Sequence, residues 1–146
     1  MSLTHIPVAL RRLVRERSGE WCEYCLIPEA VAFAAHWIDH IIAKQHDGPT
    51  IANNLALSCL HCNQHKGSDL SSIDPETGLL VALFHPRRDR WGDHYQLAGG
   101  RIEALTDFGR VTVRLLQLNR ADRVQERELL GAAGLLRGDG GWRHDQ

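Results

Sequence analysis

Apolar residues at Ile6, Leu10, Leu13 and Val14 fall near one side of a helix, while Arg11, Arg12 and Arg15 point away. Pro7 suits a first helical position and Ser18-Gly19 ends the pattern, so a helix is predicted over 7–17. Residues 30–42 are apolar and become β-branched toward Ile41-Ile42, which predicts two short strands or one bent hairpin. Gln45-His46-Asp47-Gly48-Pro49 carries strong turn chemistry. Residues 51–57 predict a helical turn, and residues 59–68 predict the start of a short helix.

Downstream, Asp74-Pro75-Glu76-Thr77-Gly78 reads as a turn and residues 79–84 as a strand. His85-Pro86-Arg87-Arg88-Asp89-Arg90-Trp91 reads as a basic surface loop anchored by its tryptophan. Strands are predicted over 95–97 and 101–104 around Gly99-Gly100, core scaffold over 111–118, and a helix over 121–136. The glycine-rich stretch 138–146 reads as a loose tail. No internal repeat beyond two Cys-x-x-Cys units and no low-complexity segment interrupts this order.

The chain has 146 residues, 43% hydrophobic and 24% charged, which is enough for one ordinary domain with a modest core. No apolar run approaches the roughly 20 residues needed to span a bilayer. The N-terminus, Met1-Ser2-Leu3-Thr4-His5-Ile6-Pro7, lacks a basic region followed by an apolar stretch, so a reducing cytoplasm is the expected compartment. There, paired cysteines bind metal more often than they form disulfides.

Charge is unevenly spread. The net of −1 divides into +2 over residues 1–20, −5 over 21–80, +3 over 81–127 and −1 over 128–146. An acidic middle flanked by arginines is a distribution in which a bound cation and the flanking positive charge together accept a phosphate backbone. A solvated surface of mixed charge accounts for most of these arginines more simply.

Two Cys-x-x-Cys pairs, Cys22/Cys25 and Cys59/Cys62, dominate the candidate chemistry. Each pair presents two sulfurs from one tight turn, and two pairs complete the tetrahedral shell of Zn²⁺ with no position left for water. The site is therefore expected to be structural. The 33 residues between the pairs imply a folded insert. His61, inside the second pair, reads as a bystander.

Within and after that insert lie Ile38-Asp39-His40-Ile41-Ile42, Asn53-Asn54-Leu55 and Cys62-Asn63-Gln64-His65-Lys66-Gly67. An Asp-His pair alone is weak evidence. In this order, with the cysteine pairs around them, the three segments resemble the HNH endonuclease family over residues 21–68. The Asp74-Pro75-Glu76-Thr77-Gly78 and Phe84-His85-Pro86-Arg87-Arg88 stretches also resemble a subgroup of bacterial HNH proteins, less specifically. Ala43 stands where many members have proline, a change that carries no chemistry.

The resemblance implies an α+β fold. Its core is a ββα-metal (His-Me finger) unit stapled by the four-cysteine zinc site, with an N-terminal helix and a C-terminal strand/helix extension. It implies one domain over 1–146, with the core at about 18–70, the extension at 71–137 and the tail beyond. It implies a metal-dependent endonuclease that hydrolyses phosphodiester bonds, with DNA the expected substrate and 5′-phosphate and 3′-hydroxyl ends as products.

His40 then matches the general base, and Asp39 matches a ligand of a catalytic divalent cation, Mg²⁺ or Mn²⁺. Asn54 fixes the loop that carries the base, and Asn63 completes the cation site. His65 is the alternative ligand. Residues two apart on a helix project about 200° apart, so Asn63 and His65 do not serve one ion together. Lys66, Arg87 and Arg88 are the expected phosphate contacts. His36 is open between a place beside the cation site and an ordinary buried histidine. The competing reading is a zinc-stabilised module that binds nucleic acid or protein without cleaving it. Oligomeric state and biological role are open.

Overall fold

Pro7 and Gly19 bracket the first helix, α1 (Val8–Ser18), as expected. Gly19 takes the left-handed conformation, φ 64°, and its N–H closes on Glu16 O. The inward side of α1 sets Leu10 and Val14, with Ile6 just ahead of the helix, against Ile38, Leu55 and Leu57 in a small apolar cluster. Arg17 leaves the same helix sideways and donates to the carbonyls of Ala52 and Leu55. The structure, a computed structural model, describes residues 5–136. The predicted tail at 138–146 lies outside these residues.

The strand β1 (Trp37–His40) pairs antiparallel with β2 (Leu55–Ser58), with Trp37 opposite Ser58 and His40 opposite Leu55. Helix α2 (Leu60–Lys66) follows immediately, which completes a ββα unit. The expected hairpin over 30–42 is thus corrected: only its last part is a strand, and its partner comes from 55–58, where a helical turn was expected. A single 3-10 turn, Ala52–Asn54, does precede β2. All four β2 residues are buried. A strand covered on both sides loses the alternation that would mark it.

Residues 71–136 add two further hairpins and three helices. β3 (Ser71–Ile73) pairs with β4 (Leu80–Ala82), and β5 (Tyr95–Ala98) pairs with β6 (Arg101–Ala104). The short α3 (Trp91–His94) leads into β5. Trp91 is buried and donates from Nε1 to Tyr24 O, so it anchors the core rather than a surface loop. Helix α4 (Asp107–Leu115) is capped by Thr106, whose hydroxyl accepts from Gly109 N–H. It rests on β3, β4 and β6. Helix α5 (Ala121–Ala132) ends earlier than predicted, because Gly134 turns left-handed at φ 73° and Leu135 N–H closes on Leu130 O. No helix among the described residues is long and apolar enough to cross a membrane.

One larger core joins the two halves. Cys22, Tyr24, Cys25, Leu26, Ile27, Cys59 and Cys62 pack with Phe84, Trp91, Tyr95, Ile102, Leu116, Leu118 and Leu130. Phe84 meets Tyr24 and Tyr95 edge-on at ring-centroid separations of 6.4 and 5.3 Å.

The turn at 74–78 is held by one buried carboxylate. Asp74 receives Arg110 through Nε and Nη2 at 3.0 and 2.8 Å, the Glu76 N–H, and the Thr77 hydroxyl. The Arg110 guanidinium, with these other donors, holds its carboxyl well below the usual carboxylate range. A carboxyl depressed on folding adds stability above its unfolded pKa, near 3.9, and that stability disappears as pH falls toward the folded value. Urea-unfolding free energies measured from about pH 5 down to about pH 3 should therefore fall less steeply for Asp74→Asn than for the unaltered chain.

Candidate active site

Two turns place the cysteines. Cys25 N–H lies 3.5 Å from Cys22 Sγ, and Cys62 N–H lies 3.4 Å from Cys59 Sγ at the start of α2. The four sulfurs are buried and all lie within 4.8 Å of one another, with Cys25 and Cys59 at 3.6 Å. A tetrahedron with Zn–S bonds of about 2.3 Å has sulfur–sulfur edges of about 3.8 Å, so the cluster fits a structural metal such as zinc. Burial opposes ionisation of Cys25. The hydrogen bonds of the other three cysteines and the Arg123 charge outweigh it and hold this thiol well below its ordinary value.

Arg123 was not visible as a site residue. It reaches from α5 and donates through Nη2 to Cys25 Sγ and Cys59 Sγ, both at 3.4 Å. Its side chain is 9% exposed and also pairs with Glu126 at 3.2 Å. A closed tetrathiolate around Zn²⁺ carries two net negative charges, and Arg123 offsets part of them.

The first cysteine turn is sewn to β2 by Glu23. Its N–H donates to Leu57 O and its Oε2 accepts from Leu57 N–H, at 2.9 and 2.8 Å, while Oε1 pairs with Arg87. Arg87 is consequently an internal partner of a buried acid, and its guanidinium is lowered by burial and by the nearby Arg17 charge. Of the three cations expected at phosphate, Arg88 alone is exposed.

His40 closes β1, and the loop after it is tightly specified. The Asn54 side chain is buried and fully used. Its Oδ1 accepts from Ile42 N–H at 2.9 Å, and its Nδ2 donates to the carbonyls of Ile42 at 3.0 Å and Pro49 at 2.9 Å. Gly48 passes so close to the chain that a Cβ would lie 1.6 Å from Ile42 O. This loop delivers Thr50, whose hydroxyl lies 2.9 Å from His40 Nε2. Burial lowers the His40 pKa, with Lys44 and Lys66 acting in the same direction and Asp39 opposing them, so the imidazole is neutral at pH 7.

Adjacent strand residues point to opposite faces. Asp39 accordingly faces away from His40, into the protein. Tyr24 OH donates to its Oδ2 at 3.0 Å, and Lys66 Nζ lies 3.2 Å from Oδ2 and 3.5 Å from Oδ1. Lys66 also donates to His40 O at 3.3 Å and Ile41 O at 3.0 Å, and only 2% of it is exposed. Burial raises the Asp39 pKa against the pull of Lys66 and Tyr24.

Asn63 and Lys66 are three apart on α2 and therefore project within about 60° of each other. The Asn63 side chain makes no hydrogen bond among the described residues. His65 stands on another side, and its Nδ1 donates to His61 O at 2.8 Å. His36 is a buried structural histidine: Nε2 donates to Ile27 O at 2.8 Å, and its main-chain N–H donates to Glu29. Sequence reading missed Thr50, Tyr24, Glu23 and Arg123. Only Glu23 had a local signal, as an acid between two cysteines that must turn inward.

The family model described as HNH endonuclease matches residues 22–69, from the first cysteine to just past α2. The match spans both cysteine pairs and the ββα unit between and after them. No curated protein matches the chain, nor does any solved structure.

Cys59→Ser should lose the bound metal by atomic emission and unfold at lower temperature; unchanged metal content would remove the shared site. Arg123→Leu should keep its metal but release it more readily to a chromophoric chelator. The affinity loss should be about 10–100-fold, as when other groups behind a metal's ligands are removed.

Proposed function

We propose that this chain is a divalent-metal-dependent endonuclease that hydrolyses phosphodiester bonds of DNA, with His40 as the general base. The observation that carries this reading is the placement of His40. It stands at the end of β1, beside a loop pinned by Asn54, with Nε2 held by Thr50, inside the span matched by the HNH model.

In the tautomer where Nε2–H donates to the Thr50 hydroxyl, Nδ1 is the nitrogen that takes a proton from water. A neutral imidazole is ready to accept one, and burial keeps it neutral. Asn54 acts through the loop, as a positioning residue. Asp39 and Asn63 offer hard oxygen donors suited to Mg²⁺ or Mn²⁺, and Asn63 is favoured over His65 because it stands nearer the face of α2 that reaches Asp39. The fit is supported by an oxygen-lined position that already holds a cation, the Lys66 ammonium. When bound, the divalent ion supplies charge neutralisation at the phosphate and the leaving oxygen.

Arg88 and Lys44 are exposed, and we assign them to the phosphate backbone. Lys44 lies in the loop next to His40 and is close enough to act on its charge.

A second reading, a binding module without catalysis, is favoured by one observation: Asp39 is already neutralised by Lys66. Cleavage of supercoiled plasmid in Mg²⁺ or Mn²⁺ separates the two. His40→Ala should keep its structural metal and its fold while cleavage falls by about 10²–10⁴-fold. Full activity in that variant would remove His40 from the base role, and no cleavage by the unaltered chain would leave the binding module.

A further inference from the structure

The Lys66 ammonium sits in a cage of oxygens: both carboxylate oxygens of Asp39 and the carbonyls of His40 and Ile41, at 3.0–3.5 Å. Four oxygens around a positive charge are also what a hard divalent cation seeks. The pair is closed off from water, with side-chain exposures of 3% for Lys66 and 6% for Asp39. A buried carboxylate is stable only with its charge compensated, and one carboxylate compensates one ammonium. The four cysteines are the only group of three or more potential ligands found among the described residues. A divalent ion arriving at Asp39 would therefore meet an ammonium a few ångströms away with no further acid cluster to screen the repulsion.

We propose that Lys66 is the resident counter-cation of Asp39 while no catalytic divalent ion is bound, and that such a cation takes this carboxylate only by displacing the ammonium. This rests on the reading of Asp39 as a ligand of the catalytic ion. Lys66 is then a positioning residue with two linked effects. It keeps the buried Asp39 charge compensated when no divalent ion is present, and it ties the main chain at His40 and Ile41 to that state. Displacement frees the two carbonyls beside the base at the moment the ion enters. The ion and the ammonium are antagonists at one site, and by linkage each weakens the other's hold by the same factor.

The test uses the zinc-loaded protein and Mn²⁺ followed by electron paramagnetic resonance, with no substrate. Lys66→Met should bind Mn²⁺ more tightly than the unaltered chain, by a factor in the range of roughly 5–150. The double variant Asp39→Asn, Lys66→Met should lose that gain. A purely structural lysine predicts the opposite, weaker binding or none in Lys66→Met, and that result or an unchanged affinity overturns the proposal.

A second measurement needs no variant and stands if Lys66→Met fails to fold. Lys66 should be protected from acetylation by an amine-selective reagent in the zinc-loaded chain without Mg²⁺ and become modified on adding Mg²⁺, as read by peptide mass spectrometry. Equal protection with and without Mg²⁺ overturns the proposal. If the unaltered chain binds Mn²⁺ and cleaves DNA but Lys66→Met gains nothing, displacement alone fails. If neither protein binds Mn²⁺, the catalytic-cation reading fails with it.

Discussion

Convergence of four sulfurs from two distant turns is the constraint on which the remaining geometry rests. Cys22 and Cys25 lie before the first strand, Cys59 and Cys62 after the second, and bringing them together closes the intervening chain into a loop. That closure presses Glu23 against Leu57, which extends β2 by a side chain and a main-chain N–H. It places α2 directly beyond β2 and orients Lys66 toward Asp39. The four-sulfur cluster thus acts on the candidate active site without touching it. Small zinc units gain roughly 10–16 kcal/mol from their metal at neutral pH, enough to decide whether such a unit folds.

Around this clamp the protein handles buried polarity by pairing. Glu23 meets Arg87, Asp39 meets Lys66 and Tyr24, Asp74 meets Arg110, and Asn54 uses its carbonyl and both amide hydrogens. Removing one member of such a pair leaves a charge in a low-dielectric interior, which is strongly destabilising in general. Arg15 and Arg17 follow the same rule: Arg15 joins Glu29 and His36 O, and Arg17 joins two carbonyls beside β2. Much of the basic charge flanking the acidic middle is consequently architectural. The cations left for a phosphate backbone are fewer than the arginine count suggests.

The parts legible in the sequence were those with local rules. Cysteine spacing revealed the clamp, Pro7 and Gly19 bracketed α1, and Gly99-Gly100 marked the β5–β6 hairpin. β2 was missed because Leu55-Ala56-Leu57-Ser58 is buried throughout and shows no alternation. The opposite facing of Asp39 and His40 follows from strand geometry once β1 is known, but its onset at Trp37 was not evident within an apolar run. Lys66 and Arg87 carry long charged side chains that ordinarily mark a surface, and only their partners reveal that they turn inward. Arg123 lies 98 positions from Cys25, with nothing near it in the chain to announce a sulfur contact.

The reach of Arg123 bears on where the functional unit ends. A boundary drawn at residue 69, where the family match stops, would separate Arg123 from the sulfurs it contacts and cut through the core shared by Cys25, Phe84, Trp91 and Leu130. The ββα unit is therefore not a portable cassette in this protein. Residues far along the chain complete its electrostatics and its packing, so transplanting the motif into another scaffold would require a substitute for α5 as well as for the cysteines.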